Sequence, residues 1–140
     1  MNVAFTGLDD QAKVLRAEID RRIARVLDHG RFIMGPEVSE FESALASFCG
    51  ASNAIGVANG TDALQIALMA GGIKSGDAVF LPAFTYTASA EVIMILGAIP
   101  FFVDVDASTF NIDCGHLETQ IKRAQELGIR PAAVIGVDLF

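Results

Sequence analysis

From Ala54 onward, short uninterrupted apolar runs alternate with stretches of helical periodicity, and few architectures satisfy that alternation. The runs Ala54–Ala58, Ala78–Leu81, Ile99–Val103 and Ala132–Val137 read as strands. Between them, Asp62–Ala70, Ala88–Leu96 and Cys114–Leu127 read as helices. A strand apolar on both faces must be covered on both, and strands joined through helices run parallel. The expected fold is therefore α/β, a three-layer sandwich with a mainly parallel sheet. Gly-Asp and Asp-x-Asp turns punctuate the units.

Two helices are expected ahead of this region. Asp9–Asp28 carries Val14, Leu15, Ile19, Ile23, Val26 and Leu27 at helical spacing, with Arg16, Asp20, Arg21 and Arg25 between them; Gly30 ends it. After the loop Arg31–Pro36, Glu37–Phe48 places Val38, Phe41, Leu45 and Phe48 on one face. The expected division is an amino-terminal helix and loop over residues 1–36, then an incomplete α/β domain over 37–140. The sequence closes on Val137-Asp138-Leu139-Phe140, directly after an apolar run, where α/β logic expects a covering helix. The expectation is a partial chain.

Composition narrows the function. A net charge of −7 argues against nucleic-acid binding, which needs a positive field. No apolar run approaches the ~20 residues of a membrane helix, and Met1–Asp10 lacks the basic start and apolar stretch of a signal peptide. A soluble, cytoplasmic protein is expected, with no membrane partner. The two cysteines, Cys49 and Cys114, are too few for a disulfide framework. His29 and His116 are isolated, and no metal site is expected.

Two segments could carry chemistry. Ala58-Asn59-Gly60-Thr61-Asp62-Ala63-Leu64 follows one apolar run and opens a helix, whose unpaired amides and positive end suit an anion. The simpler reading is that Asn59 or Thr61 caps the helix and binds nothing. There is neither a G-x-G-x-x-G nor a P-loop pattern. Leu81-Pro82-Ala83-Phe84-Thr85-Tyr86-Thr87-Ala88 begins where the next strand ends, the end at which α/β sheets collect ligands. An aromatic there could stack on a flat ring or simply fill space beside the core. Tyr86 is the chain's one tyrosine.

In this order, Gly60-Thr61-Asp62-Ala63-Leu64 and Pro82-Ala83-Phe84-Thr85-Tyr86-Thr87-Ala88-Ser89-Ala90-Glu91 resemble the amino-terminal part of the DegT/StrS sugar aminotransferases. His29–Val38, Leu96–Asp106 and Phe110–Asp113 resemble further segments of that family in register, from about residue 10 to the end. The resemblance implies a fold-type-I (aspartate aminotransferase-like) large domain and the cofactor pyridoxal 5'-phosphate (PLP). It implies a phosphate held by Gly60, Thr61 and Asp62, through the Thr61 and Asp62 amides and the Thr61 hydroxyl, and a ring stacked on Tyr86. The Asp62 carboxylate is not assigned to the phosphate, because like charges repel.

The resemblance also implies a Schiff-base lysine and a ring-nitrogen carboxylate after residue 140. Lys13, Lys74 and Lys122 read as surface residues, so no catalytic residue is expected within these 140 residues, and alone they should be inactive. Asp104 and Asp106 read as turn residues; Asp138, at a strand end, has a minor claim on the site. The implied reaction moves an amino group from glutamate or glutamine to a nucleotide-linked keto sugar, most similar to amination of a UDP-linked 3-keto uronic acid for surface polysaccharide. A homodimer with active sites at the subunit interface is implied, its interface lined in part by the Phe32–Val38 loop. Two alternatives stand beside it: a PLP-dependent sugar dehydratase of the same family, and a non-catalytic phosphate-binding fragment.

Overall fold

The computed structural model describes residues 7–139. Contacts divide them into two compact units, one up to Gly56 and one from Val57.

The first unit is a pair of helices. Helix α1 spans Leu8–His29, with Asp9 and Asp10 in its first turn, charges that complement the helix dipole. Gly30 closes it in the left-handed conformation, φ 65°, its N–H on the Val26 carbonyl at 3.0 Å. Arg16 pairs with Asp20 at 2.8 Å and Arg22 with Glu18 at 2.6 Å along its exposed surface. Helix α2, Pro36–Cys49, starts with proline at its first position, where the missing N–H costs nothing. His29 Nε2 lies 3.0 Å from the Glu37 carboxylate, and Arg25 reaches Glu37 at 3.1 Å, so the end of α1 is bound to the start of α2. The His29 contact holds the Glu37 carboxyl below its ordinary value. Gly35 is required in the intervening loop, because a Cβ there would stand 2.5 Å from the Arg31 carbonyl oxygen.

The second unit is the α/β body: α3 (Gly60–Ala70), β1 (Ala78–Pro82), α4 (Ala88–Ile95), β2 (Ile99–Val103), α5 (Cys114–Glu126) and β3 (Pro131–Val134). The sheet is parallel, in the order β2-β1-β3. Phe80 pairs with Phe101 on one side and Val134 on the other. β1 is buried along its whole length, and alternation sends its side chains to two cores. Val79 and Leu81 pack with Leu68 of α3, Val92 and Ile93 of α4, and Ile135. Ala78 and Phe80 pack with Val103 and with Ala124 of α5. Helices thus cover both faces, giving the expected three layers. Burying each large apolar side chain of this set contributes about 1.5–3 kcal/mol.

At the amino-terminal end of the sheet, the nearly buried Asp77 carboxylate accepts from the Lys74 amide at 2.7 Å and from Arg130 Nε at 2.8 Å. This joins the turns before β1 and β3. Among the described residues no helix is long and apolar enough to cross a membrane.

The structure corrects two expectations and adds one observation. Ala54–Ala58 forms no strand. Ile55 is exposed, and no neighbouring segment offers the run a hydrogen-bond ladder among the described residues; its Gly56 amide donates instead to the Glu42 carboxylate at 2.7 Å. The last strand is Pro131–Val134 and not Ala132–Val137, since Gly136 onward leaves the sheet to line a cleft. The stripe on α1 covers no core here: no residue of that helix is buried.

Candidate functional site

The carboxyl ends of β1 and β3 and the amino end of α3 surround a cleft of about 510 Å³. Its walls are the start of α3 (Gly60, Thr61, Leu64), the loop after β1 with the start of α4 (Thr85, Tyr86, Ala88, Ser89), and the segment after β3 (Ile135–Leu139). This is the end of a parallel sheet at which ligands collect.

Local chemistry explains the α3 wall. Asn59 has extended backbone and caps the helix, its side-chain oxygen accepting from the Asp62 amide at 2.9 Å. The Asn59 carbonyl accepts from Ala63 at 3.1 Å. Of the amides that open the helix, those of Gly60 and Thr61 then have no acceptor among the described residues, as the geometry of a helix start dictates. Both residues line the cleft, at the positive end of the helix. The Asp62 carboxylate accepts from Asn59 Nδ2 at 3.1 Å, and Asp62 is not among the lining residues.

On the opposite wall Pro82 ends β1, and the loop it releases carries Tyr86, which is 76% exposed. A ring so open is free to lie against a ligand. Phe84 instead packs on Phe110, ring centroids 5.6 Å apart. The backbone of Phe110 is left-handed, φ 58°, in a turn organised by Asp106, whose Oδ1 accepts from the amides of Ser108 at 2.9 Å and Thr109 at 3.0 Å. The Ser108 hydroxyl, first among its contacts, also holds the Asp106 carboxyl below its ordinary value. Asp106 is thus a turn residue, as expected. Asp104 lies beside it, its N–H donating to His116 Nδ1 at 2.8 Å.

Three of the four expected site residues, Gly60, Thr61 and Tyr86, therefore line one cleft. The fourth, Asp62, has its amide and carboxylate engaged by Asn59. Asp138 lines the cleft as its one charged residue. No lysine or arginine lines it, so an anion here would rest on amides, hydroxyls and the helix end. Among the described residues no cluster of His, Cys, Asp and Glu could hold a metal. Reading the sequence missed Thr85, Ser89 and the Ile135–Val137 backbone. Two hydroxyls four residues apart across a helix start were a usable signal for the first two; treating residues 132–137 as one strand hid the third.

The amide and hydroxyl donors on one wall suit a phosphate, and the exposed aromatic on the other suits a flat ring, so the residues present fit PLP. Comparison with known proteins points the same way. The profile of the DegT/DnrJ/EryC1/StrS aminotransferase family matches residues 13–140. The chain is 46% identical, over 99% of its length, to the UDP-2-acetamido-2-deoxy-3-oxo-D-glucuronate aminotransferase of Pseudomonas aeruginosa, of which it covers 37%. Its fold superposes with a TM-score of 0.94 on the crystal structure of a DegT DnrJ EryC1 StrS aminotransferase from Brucella abortus, at 43% identity, covering 99% of this chain and 37% of that one. It also superposes, with a TM-score of 0.65 and 36% identity over 71% of this chain and 26% of the other, on the Streptococcus pneumoniae protein Spr1654 in its PLP form. The chain, spanning a little over a third of the first two of these relatives, belongs to the DegT/DnrJ/EryC1/StrS family of PLP-dependent sugar aminotransferases.

Proposed function

We propose that this chain supplies the phosphate cradle and one ring wall of a PLP-dependent aminotransferase that moves an amino group from glutamate or glutamine to a nucleotide-linked keto sugar. The observation that carries the proposal is the convergence of the Gly60 and Thr61 donors with exposed Tyr86 on one cleft at the carboxyl ends of the strands. Similarity to the P. aeruginosa enzyme favours a UDP-linked 3-keto uronic acid as acceptor, and with it a role in surface polysaccharide synthesis.

Bound in the cleft, PLP would supply the carbonyl and electron-withdrawing ring that amino transfer requires. The Gly60 and Thr61 amides and the Thr61 hydroxyl would hold its phosphate. Tyr86, exposed on the facing wall, would stack on the ring and shield that face from water. Asn59 holds the Asp62 carboxylate and so limits repulsion of the phosphate. The residues that form the covalent link to the cofactor and move the proton are proposed to lie outside these 140. Lys13 pairs with Asp10, Lys122 pairs with Glu118, and Lys74 is in the turn before β1. Alone, these residues should bind but not catalyse. The working form is proposed to be a cytoplasmic homodimer.

The test uses the product of the complete reading frame, supplied with PLP, glutamate and a UDP-linked 3-keto uronic acid, with the sugar followed by mass spectrometry. An amine in place of the keto oxygen supports the proposal. Loss of a hydroxyl without amination would indicate the dehydratase reaction. A protein that takes up no PLP would overturn the reading.

A further inference from the structure

The cleft has a donor that the family resemblance and the cradle leave unused. Thr85 Oγ1 and Ser89 Oγ lie 3.0 Å apart, and both residues line the cleft beside Gly60 and Thr61. Ser89 is only 6% exposed. Each hydroxyl carries one hydrogen, and one bond between them consumes one hydrogen. The other has no acceptor among the described residues. When the spare hydrogen is that of buried Ser89, leaving it without an acceptor costs about 1–3 kcal/mol in proteins; half-buried Thr85 can carry it at the cleft surface.

What can accept is set by the surroundings. Three of the amides that open α4 are already occupied: Ser89 donates to the Tyr86 carbonyl at 3.1 Å, and Ala90 and Glu91 donate to that of Thr87 at 3.0 Å. The Ala88 amide, first of the helix, has no acceptor among the described residues, so α4 presents the cleft with that N–H and the hydroxyl pair. Helices α3 and α4 pack on one another, and both begin at the cleft. This places the pair on the α3 side, where the positive helix end favours an anion. Because either oxygen of the pair can be the donor, the pair can turn its spare hydrogen toward whichever oxygen arrives.

We propose that Thr85 and Ser89 act as one hydroxyl relay that donates a hydrogen bond to a phosphate ester bound at Gly60 and Thr61. The proposal rests on the PLP reading for the identity of that ester. It adds two binding residues to the cradle and gives a phosphate monoester a donor from a second helix.

The experiment measures dissociation constants for PLP, pyridoxal and inorganic phosphate with the complete-reading-frame protein and its Ser89→Ala, Thr85→Val and Thr85→Ser variants. PLP and pyridoxal are followed by absorbance and phosphate by calorimetry, and thermal melting of each ligand-free variant is run alongside. Loss of a charge-assisted bond weakens PLP and phosphate by about tenfold in Ser89→Ala and Thr85→Val. Thr85→Ser binds like the parent, and pyridoxal is unaffected throughout. Unchanged PLP affinity in the two disruptive variants overturns the relay while leaving the PLP reading standing. So does equal weakening for PLP and pyridoxal, which would mark a packing role. If the parent protein ignores PLP but binds phosphate in a Ser89-dependent way, the relay stands and the cofactor reading falls. If it binds neither, both fall. Should Ser89→Ala melt before binding can be measured, Thr85→Val against Thr85→Ser decides.

Discussion

At the scale of single residues, the start of α3 separates two roles that a sequence alone confounds. Asn59 or Thr61 could each have been the cap; the geometry gives the cap to Asn59 and leaves Thr61 facing the cleft. Asn59→Ala should therefore cost about 1 kcal/mol of stability, the usual cost of a lost cap. Asn59→Asp should keep the acceptor for the Asp62 amide but replace the Nδ2 bond to the Asp62 carboxylate with like-charge contact, and so both lower the denaturation midpoint and weaken PLP binding. Urea titration and a PLP binding curve on the same samples check both. Tyr86 makes a sharper case. Its ring is exposed and fills no core, so Tyr86→Ala should leave stability within about 0.5 kcal/mol of the parent, as is usual for surface changes. The same substitution should weaken PLP by up to about tenfold through lost stacking, and Tyr86→Phe should retain most of the affinity. A large loss of stability in Tyr86→Ala would make the ring a packing residue.

Asp77 carries a prediction in pH. Arg130, by its hydrogen bond, and then the Lys74 amide hold its carboxyl below the ordinary value. A depressed carboxyl contributes stability that is present above the unfolded-state value, near 3.9, and lost as pH falls through the lower folded-state value. Asp77→Asn should thus lower the urea midpoint at neutral pH, with the gap from the parent closing below about pH 4. A gap that stays constant from neutral to acid would mean that the Asp77–Arg130 charge pair contributes nothing. Asp77 did not emerge from the sequence, because its partner lies 53 positions away and no local pattern announces such a pairing.

At the scale of elements, what could be read in advance is what local chemistry decides. Gly30 stops α1, Ile99–Val103 is a strand to the residue, and Pro82 ends β1, because each is set by a left-handed glycine, a continuous apolar run or a missing N–H. The failures share a cause as well. Ala54–Ala58 has strand composition, but a strand exists only where a partner supplies the ladder, and composition cannot report the partner. Gly60, Thr61 and Tyr86 stood out as candidates because they sit at strand and helix ends, but the choice of cofactor contacts over cap and packing roles came from the family resemblance. Ser89 was hidden because a serine in a helix looks like any other until its burial is known. The cores allow a test of the layer arrangement. Ile93 is fully buried against β1 from the α3/α4 side. Ile93→Ala should cost about 2–5 kcal/mol by chemical denaturation. A cost under about 1 kcal/mol would place Ile93 at the surface and contradict the packing of α4 on the sheet.

For the whole molecule, the decisive question is whether any lysine of this chain can reach the cofactor. The cleft lies at the carboxyl end of β1, and Lys74 sits in the turn before its amino end. Five strand residues at about 3.3 Å each separate the two levels by roughly 13–16 Å. Lys122 is on α5, which covers the opposite face of the sheet from α3 and α4, and it pairs with Glu118 at 2.7 Å. Lys13, on exposed α1, pairs with Asp10 at 3.1 Å. When the 140-residue chain is loaded with PLP and reduced with borohydride, peptide mass spectrometry should find all three lysines unmodified, although PLP is retained before reduction. The same treatment of the complete-reading-frame product should place the adduct on a lysine outside these residues. An adduct on Lys74 in the short chain would mean that the cofactor lies at the amino end of the sheet. The Gly60–Thr61 wall would then be a helix cap and nothing more.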